Sequence, residues 1–256
     1  MRTVSLAAAA FASALAAVAP PALADQAETI ARVKPSIVAV GTFQRTRSPP
    51  FRFLGTGFAV ADGLTVVTNA HVIPEKIDSA AMETLAIAIP GAENRAQVRA
   101  VKAGPADPAH DIALLQLEGA PLPALRLRDS AGVREGDPVL FTGFPIGTVL
   151  GPFPATHRGM IAAITPVAIP QARPGDLNPQ TIRRLSAGPF PVFQLDATAY
   201  PGSSGSPVYD PATGEVLGVV NMVFVKGSKE AALERPSGIT YAIPGVHISE
   251  LLKRSR

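Results

Sequence analysis

The sequence predicts an all-β fold, a sandwich or a barrel, and three observations carry that expectation. Short runs of Val, Ile, Leu and Phe recur along the chain; Gly, Pro and Asp punctuate them at close intervals; helical periodicity is confined to a few short segments. In the first half the runs predict strands at 36–43, 56–61, 65–68, 85–89, 97–102 and 112–117. Asp62-Gly63 between two of them is a hairpin signal, because Gly accepts the positive φ that tight turns demand. A second set is predicted at 138–143, 159–164, 192–195, 207–209, 216–224 and 240–243. No internal repeat is present.

Helices are expected over 26–33, ahead of the first strand, and over 245–253, where Ile248, Leu251 and Leu252 share one face. Residues 119–137, rich in Pro, Gly and charge, read as a linker between two strand-rich halves, about 34–118 and 138–244. Residues 43–53 read as an exposed loop. Residues 165–191 carry six prolines and three arginines and read as a long irregular segment, with room for one short helix at 178–185.

Composition narrows the function. Residues 1–24 read as a cleavable export signal: Arg2, an uncharged apolar run over 4–18, a break at Pro20-Pro21 and the small-x-small pattern Ala22-Leu23-Ala24. The run is short for a membrane span, which needs about 20 apolar residues. Cleavage would leave Asp25 first in a chain of roughly 230 residues, enough for one large all-β domain or two small ones. The expectation is therefore an exported protein, periplasmic or secreted, with no membrane span after cleavage. The formal charge of +3 comes with no basic stripe, so no nucleic-acid partner is expected. Cysteine is absent, which excludes disulfides and thiolate zinc sites. The four histidines (His71, His110, His157 and His247) show no metal-ligand spacing, and neither a metal nor an organic cofactor is expected.

Three stretches point to chemistry. Pro201-Gly202-Ser203-Ser204-Gly205-Ser206-Pro207 is a Gly-rich turn that can expose the Ser204 hydroxyl and turn backbone N–H groups to one side. His71 follows the strand at 65–67. Asp111 stands at the start of the apolar run 112–117, where a partly buried carboxylate needs a donor such as an imidazole N–H. Each stretch alone has a plainer reading: a turn, a locally bonded histidine, a turn-capping aspartate. His110 is not expected to pair with Asp111, since neighbours on a strand face opposite ways, and it reads as a surface residue.

Taken together, in the order His, Asp, Ser, they resemble the chymotrypsin-like serine peptidases, in particular the bacterial HtrA/Deg-type branch. The matching stretches are GTGFAVADGLTVVTNAHVI (55–73), DPAHDIALLQL (107–117), GDPVLFTGFPIG (136–147), DATAYPGSSGSPVYDPATGEVLGVVN (196–221) and ITYAIP (239–244). The resemblance implies two six-stranded antiparallel β-barrels with the site in the cleft between them, followed by the C-terminal helix. It implies Ser204 as nucleophile, His71 as general base and Asp111 as its orienting acid, with the amides of Gly202 and Ser204 as the oxyanion hole. Proteins or peptides would be the substrates. It also places Thr198 and Ala199 at the base of the S1 pocket and Asn221, Met222 and Val223 along its wall. That pocket would be shallow and apolar, favouring Val or Ala; the alternative is that these are core positions of the second barrel. Asn221 could also donate to the Asp111 carboxylate.

The chain departs from the pattern at Gly-Ser-Ser-Gly-Ser, where HtrA-like proteins have Gly-Asn-Ser-Gly-Gly. Its Ser-Gly-Ser-Pro-Val resembles glutamyl endopeptidases, but their S1 histidine is Val220 here. Only a short tail follows Ile243-Pro244, so no PDZ domain is expected. A different class stays open: a latent or non-catalytic binding or chaperone-like module on a peptidase scaffold. An α/β-hydrolase does not fit, because there the serine precedes the acid and the histidine.

Overall fold

A computed structural model describes residues 25–91, 95–145, 153–166, 189–221 and 238–255. The strands form two closed antiparallel barrels of six. The first comprises β1 (Ile37–Phe43), β2 (Phe51–Val60), β3 (Thr65–Thr68), β4 (Thr84–Pro90), β5 (Ala96–Asp107) and β6 (Ile112–Leu117), in the order β1-β2-β3-β6-β5-β4. The second comprises β7 (Pro138–Gly143), β8 (Ala155–Pro166), β9 (Pro191–Asp196), β10 (Pro207–Tyr209), β11 (Val216–Asn221) and β12 (Ile239–Pro244), in the order β10-β11-β12-β9-β8-β7. Helix α1 (Gln26–Val33) precedes the first barrel, and α2 (Val246–Arg254) follows the second.

Closure is what alternating and all-apolar strands demand here. Val38, Val40, Ala59, Val66, Ile87 and Leu115 fill one core in the first barrel; Phe141, Ile161, Leu195, Val208 and Val220 fill another in the second. A third cluster lies between them and joins the two, running from Ile37, Phe58 and Ile112 to Leu140, Tyr209 and Val219. With no cysteine in the chain, this shared apolar layer is a large part of what holds one barrel to the other.

Several strands exceed the sequence expectation, for identifiable reasons. The exposed loop expected over 43–53 shrinks because Phe51 pairs with Phe43 and Phe53 with Gly41, so β2 starts at Phe51. The strand expected at 97–102 continues across Gly104-Pro105 to Asp107 by way of a bulge between Ala103 and Ala106. Bulges are where a strand tolerates Gly and Pro. β8 is likewise longer than expected and carries a bulge between Ile161 and Ala163. The Asp62-Gly63 turn is as expected, with Gly63 at φ 79°. The helix expected at 178–185 and residues 222–224 of the expected strand lie outside the described residues.

The linker is stitched to both barrels. Leu125 bridges Val60 of β2, and Leu127 bridges Val216 of β11. The two helices cross over reciprocally. From α1, Thr29 Oγ1 donates to the Ala212 carbonyl at 3.3 Å and Arg32 to that of Thr213 at 3.0 Å, both on the β10–β11 turn of the second barrel. From α2, Arg254 reaches Asp107 at the end of β5 in the first barrel, at 3.2 Å. None of the described helices is long and apolar enough to cross a membrane.

Candidate active site

His71 lies in a single 3-10 turn, Ala70–Val72, directly after β3. The main chain then has to bring its ring to a carboxylate, and Asp111 is the partner. Asp111 sits in a left-handed conformation, φ 55°, at the turn just before β6. That conformation is uncommon for a residue with a Cβ and is supported here by a dense set of bonds. Its carbonyl accepts from the Ala70 amide at 3.1 Å and from Asn69 Nδ2 at 3.0 Å. Its carboxylate is buried, 1 % exposed, and takes the His71 amide at 2.9 Å and the His71 ring Nδ1 at 2.7 Å. Asn221 Nδ2, from β11 of the second barrel, donates to the same carboxylate at 2.7 Å.

The electrostatics follow from this wiring. A buried carboxylate bonded to the His71 amide, the His71 ring and Asn221 is held in one orientation. As an acceptor it selects the tautomer with the proton on Nδ1, which leaves the Nε2 lone pair available as a base. The site is thus built from both barrels: the histidine and the acid from the first, the asparagine from the second.

Ser204 lies in the turn 201–206, between Gly202 at φ 103° and Gly205 at φ 87°. Three amides of this turn already have acceptors: Ser203 donates to the Tyr200 carbonyl just before the turn at 2.9 Å, Ser206 to that of Ser203 at 3.0 Å, and Gly205 to that of Val220 in β11 at 3.0 Å. The amides of Gly202 and Ser204 have no acceptor among the described residues. The turn abuts the histidine-bearing segment through Gly55 of β2. A Cβ on Gly55 would lie 2.8 Å from the Val72 side chain and 3.1 Å from the Ser204 carbonyl. Glycine there lets the residue after His71 and the Ser204 main chain close on one point.

Thr198 is half-buried, whereas Ala199 is buried in the second barrel's core, its amide donating to Thr240 Oγ1 at 3.0 Å. Asn221 reaches Asp111, as anticipated. Met222 and Val223 lie outside the described residues. The expectation of a surface position for His110 is overturned. Asp107 Oδ2 holds its Nδ1 at 2.9 Å, and its ring stacks on His247 of α2 with centroids 3.7 Å apart and planes 14° from parallel. His110 is thus half-buried, with Asp107 as its bonded carboxylate, and Asp111 ends a turn rather than lying in a strand. His157 stacks on Phe141 in the second barrel, 4.8 Å apart, and burial pushes its pKa down. Among the described residues no three His, Asp or Glu side chains cluster as a metal site would need.

Two residues that the sequence reading did not single out complete the site. Asn69 holds the carbonyl of Asp111, as above. Thr56 of β2, fully buried, donates its amide to the Ser204 carbonyl at 2.8 Å and its hydroxyl to the Gly202 carbonyl at 2.8 Å. Their signal was adjacency: Asn69 stands two residues before His71, and Thr56 between two glycines of a matching stretch. The serine at 206, where the family pattern has glycine, also finds its room. Its Oγ occupies the space over Gly143, whose hypothetical Cβ would meet it at 1.9 Å.

Comparison with known proteins gives a consistent picture. The family model for a trypsin-like peptidase domain matches residues 55–219. A probable periplasmic serine endoprotease, DegP-like, of Pseudomonas putida is 28% identical over 204 residues, covering 78% of this chain and 35% of that protein. The mitochondrial serine protease HTRA2 of Bos taurus is 34% identical over 203 residues, covering 78% of this chain and 36% of that protein. The chain thus spans about a third of the length of these relatives. Among solved structures, an HtrA-type protease with tripeptide superposes with a TM-score of 0.60 at 23% identity, covering 90% of this chain and 62% of that one. The serine endoprotease from Yersinia pestis gives 0.61 at 22%, covering 90% and 66%. These two likenesses are in fold.

Proposed function

Since the chain belongs to the trypsin-like peptidase family, we propose that it is a serine endopeptidase that cleaves proteins through an acyl-enzyme intermediate. The observation that carries this reading is the imidazole of His71, held by Nδ1 against the buried Asp111 carboxylate at 2.7 Å. Its free Nε2 takes the proton of Ser204 as the Oγ attacks the scissile carbonyl carbon. Negative charge gathers on the carbonyl oxygen, and the two unengaged amides, Gly202 and Ser204, receive it. One such donor is worth about 3–4 kcal/mol of barrier. His71 then gives its proton to the leaving amine, and Asp111 stabilises the imidazolium in between. Water repeats the sequence on the acyl-enzyme and releases Ser204.

Residues 1–24 act as an export signal on this reading, and the named DegP-like relative, a periplasmic endoprotease, supports that destination. On this reading the S1 region includes the half-buried Thr198 and prefers small apolar P1 residues such as Val or Ala, whereas Ala199 is buried in the core and Asn221 is buried against Asp111. The decisive experiment is Ser204→Ala. Wild type hydrolyses casein and is labelled by a fluorophosphonate probe; the variant does neither. Hydrolysis that survives in Ser204→Ala sinks the proposal. Wild type that stays unlabelled, with denatured protein as the control, supports the latent binding module instead.

A further inference from the structure

We propose that Thr56 is a positioning residue of this site, fixing the turn that carries Ser204 and its two unengaged amides. The inference rests on the peptidase reading given above. Thr56 uses every polar group it has. Its amide donates to the Ser204 carbonyl and its hydroxyl to the Gly202 carbonyl, each at 2.8 Å. The same hydroxyl accepts from the Phe144 amide, just beyond β7, at 3.1 Å. Its carbonyl accepts from Thr68 Oγ1 at 2.7 Å, three residues before His71. One fully buried residue therefore ties together the base-bearing strand, the nucleophile turn and the end of β7.

The turn needs such a hold. Gly202 adopts φ 103°, and glycine samples alternative orientations at little cost, so the local sequence does not fix the 202–203 peptide. Pinning the Gly202 carbonyl sets ψ of that residue, and with it the heading of the chain into the Ser204 amide. On the other side, Gly205 lies so close that a Cβ there would meet the Thr56 carbonyl at 2.0 Å. A valine at 56 has nearly the same shape but takes this partner from the part-buried Gly202 carbonyl and the buried Phe144 amide. The turn can then escape that cost only by rotating.

Thr56→Val and Thr56→Ser are compared, with Thr56→Ala replacing the valine variant should it not fold. Kinetics on a peptide substrate are measured alongside affinity for two probes. A peptide boronic acid forms a tetrahedral adduct with Ser204; the cleaved product peptide does not. Amide exchange at Ser203, Gly205 and Ser206 reports the turn directly. In Thr56→Val, kcat falls about tenfold to a hundredfold with KM changed by less than about threefold. Boronate binding weakens by a similar factor, product binding does not, and the three amides exchange faster. Thr56→Ser recovers most of each loss. Undiminished kcat and exchange in Thr56→Val overturn the proposal, as does equal weakening of both probes or a serine variant no better than valine. An inert wild type refutes the peptidase reading, and the exchange comparison then still decides whether Thr56 holds the turn.

Discussion

The replacement of glycine by Ser206 in the turn that carries Ser204 predicts a specific dependence on Gly143. Ser206 is fully buried and its Oγ has no hydrogen-bond partner among the described residues; it lies against the bare α-carbon of Gly143 at the end of β7. A Cβ on residue 143 would meet that oxygen at 1.9 Å, the Ser206 Cβ at 3.1 Å and Thr56 Oγ1 at 2.9 Å. Gly143→Ala thus overpacks a site closed on several sides, at a typical cost of about 1–3 kcal/mol. For a chain of this length that lowers Tm by roughly 2–4 °C per kcal/mol. Ser206→Gly removes the oxygen. It relieves a buried hydroxyl without a partner and loosens the turn, so its own effect is small, about 0–1 kcal/mol. In the double variant the main clash is gone, and only the close contact with Thr56 Oγ1 remains. A double-mutant cycle then gives a coupling of about 1 kcal/mol or more, with Gly143→Ala much less harmful in the Ser206→Gly background than in wild type. The chain has no tryptophan, so urea and thermal unfolding are followed by far-UV circular dichroism. Additive effects, with Gly143→Ala equally costly in both backgrounds, would falsify the steric account of this departure.

Two further predictions concern pH. Glu83, just before β4, accepts from the Thr42 hydroxyl at 2.5 Å and from Arg47 at 2.7 Å, and these bonds lower its pKa to about 2. A depressed carboxylate stabilises the fold above its unfolded pKa and loses that contribution as pH falls towards 2; Glu83→Gln should therefore flatten the drop in urea midpoint between about pH 4.5 and pH 2. His247 has its pKa lowered by burial first and by the neighbouring His110 second, so below about pH 6.5 the unfolded chain binds the proton more readily and the fold loses stability. His247→Phe keeps a ring against His110 and should lessen the fall in Tm from pH 7 to pH 5; a variant as acid-sensitive as wild type would count against the assignment.

The sequence announced the strands and the order His, Asp, Ser because both are local or short-range signals. Apolar runs between turn residues read as strands whatever lies around them. Errors came where tertiary pairing overrode local punctuation: Gly104-Pro105 is absorbed by a bulge in β5, and Phe51 and Phe53 join β2 because Phe43 and Gly41 are there to pair with them. The Asp111–Asn221 bond, 110 positions apart in the chain, was readable only through resemblance. Thr56 was legible as one letter of a matching stretch but not as a hub, since its partners Gly202, Ser204 and Phe144 are distant in sequence. His110 was misplaced because its environment depends on α2, which returns from the far end of the chain.

That return matters for how such a site can hold its geometry at all. On the proposed peptidase reading, a base from one barrel and a nucleophile turn from another must stay aligned to within about an ångström, and a misplacement of that size can cost about a hundredfold in rate. Without disulfides the alignment depends on contacts that cross between barrels. α1 belongs to the first barrel by sequence but binds the 212–214 turn of the second, where Gly214 at φ 74° leaves space for Val33 and Thr29. α2 follows the second barrel but grips the first at Asp107 and His110, four residues and one residue before Asp111. Asp107 also caps the turn itself, accepting from the His110 amide at 3.3 Å. The left-handed conformation of Asp111 is therefore supported from the C-terminal helix as well as from Asn69 and Ala70. Helices α1 and α2 each close on the barrel they do not adjoin in sequence, so relative motion of the two barrels has to break helix contacts, the linker bridges or the bonds of Thr56.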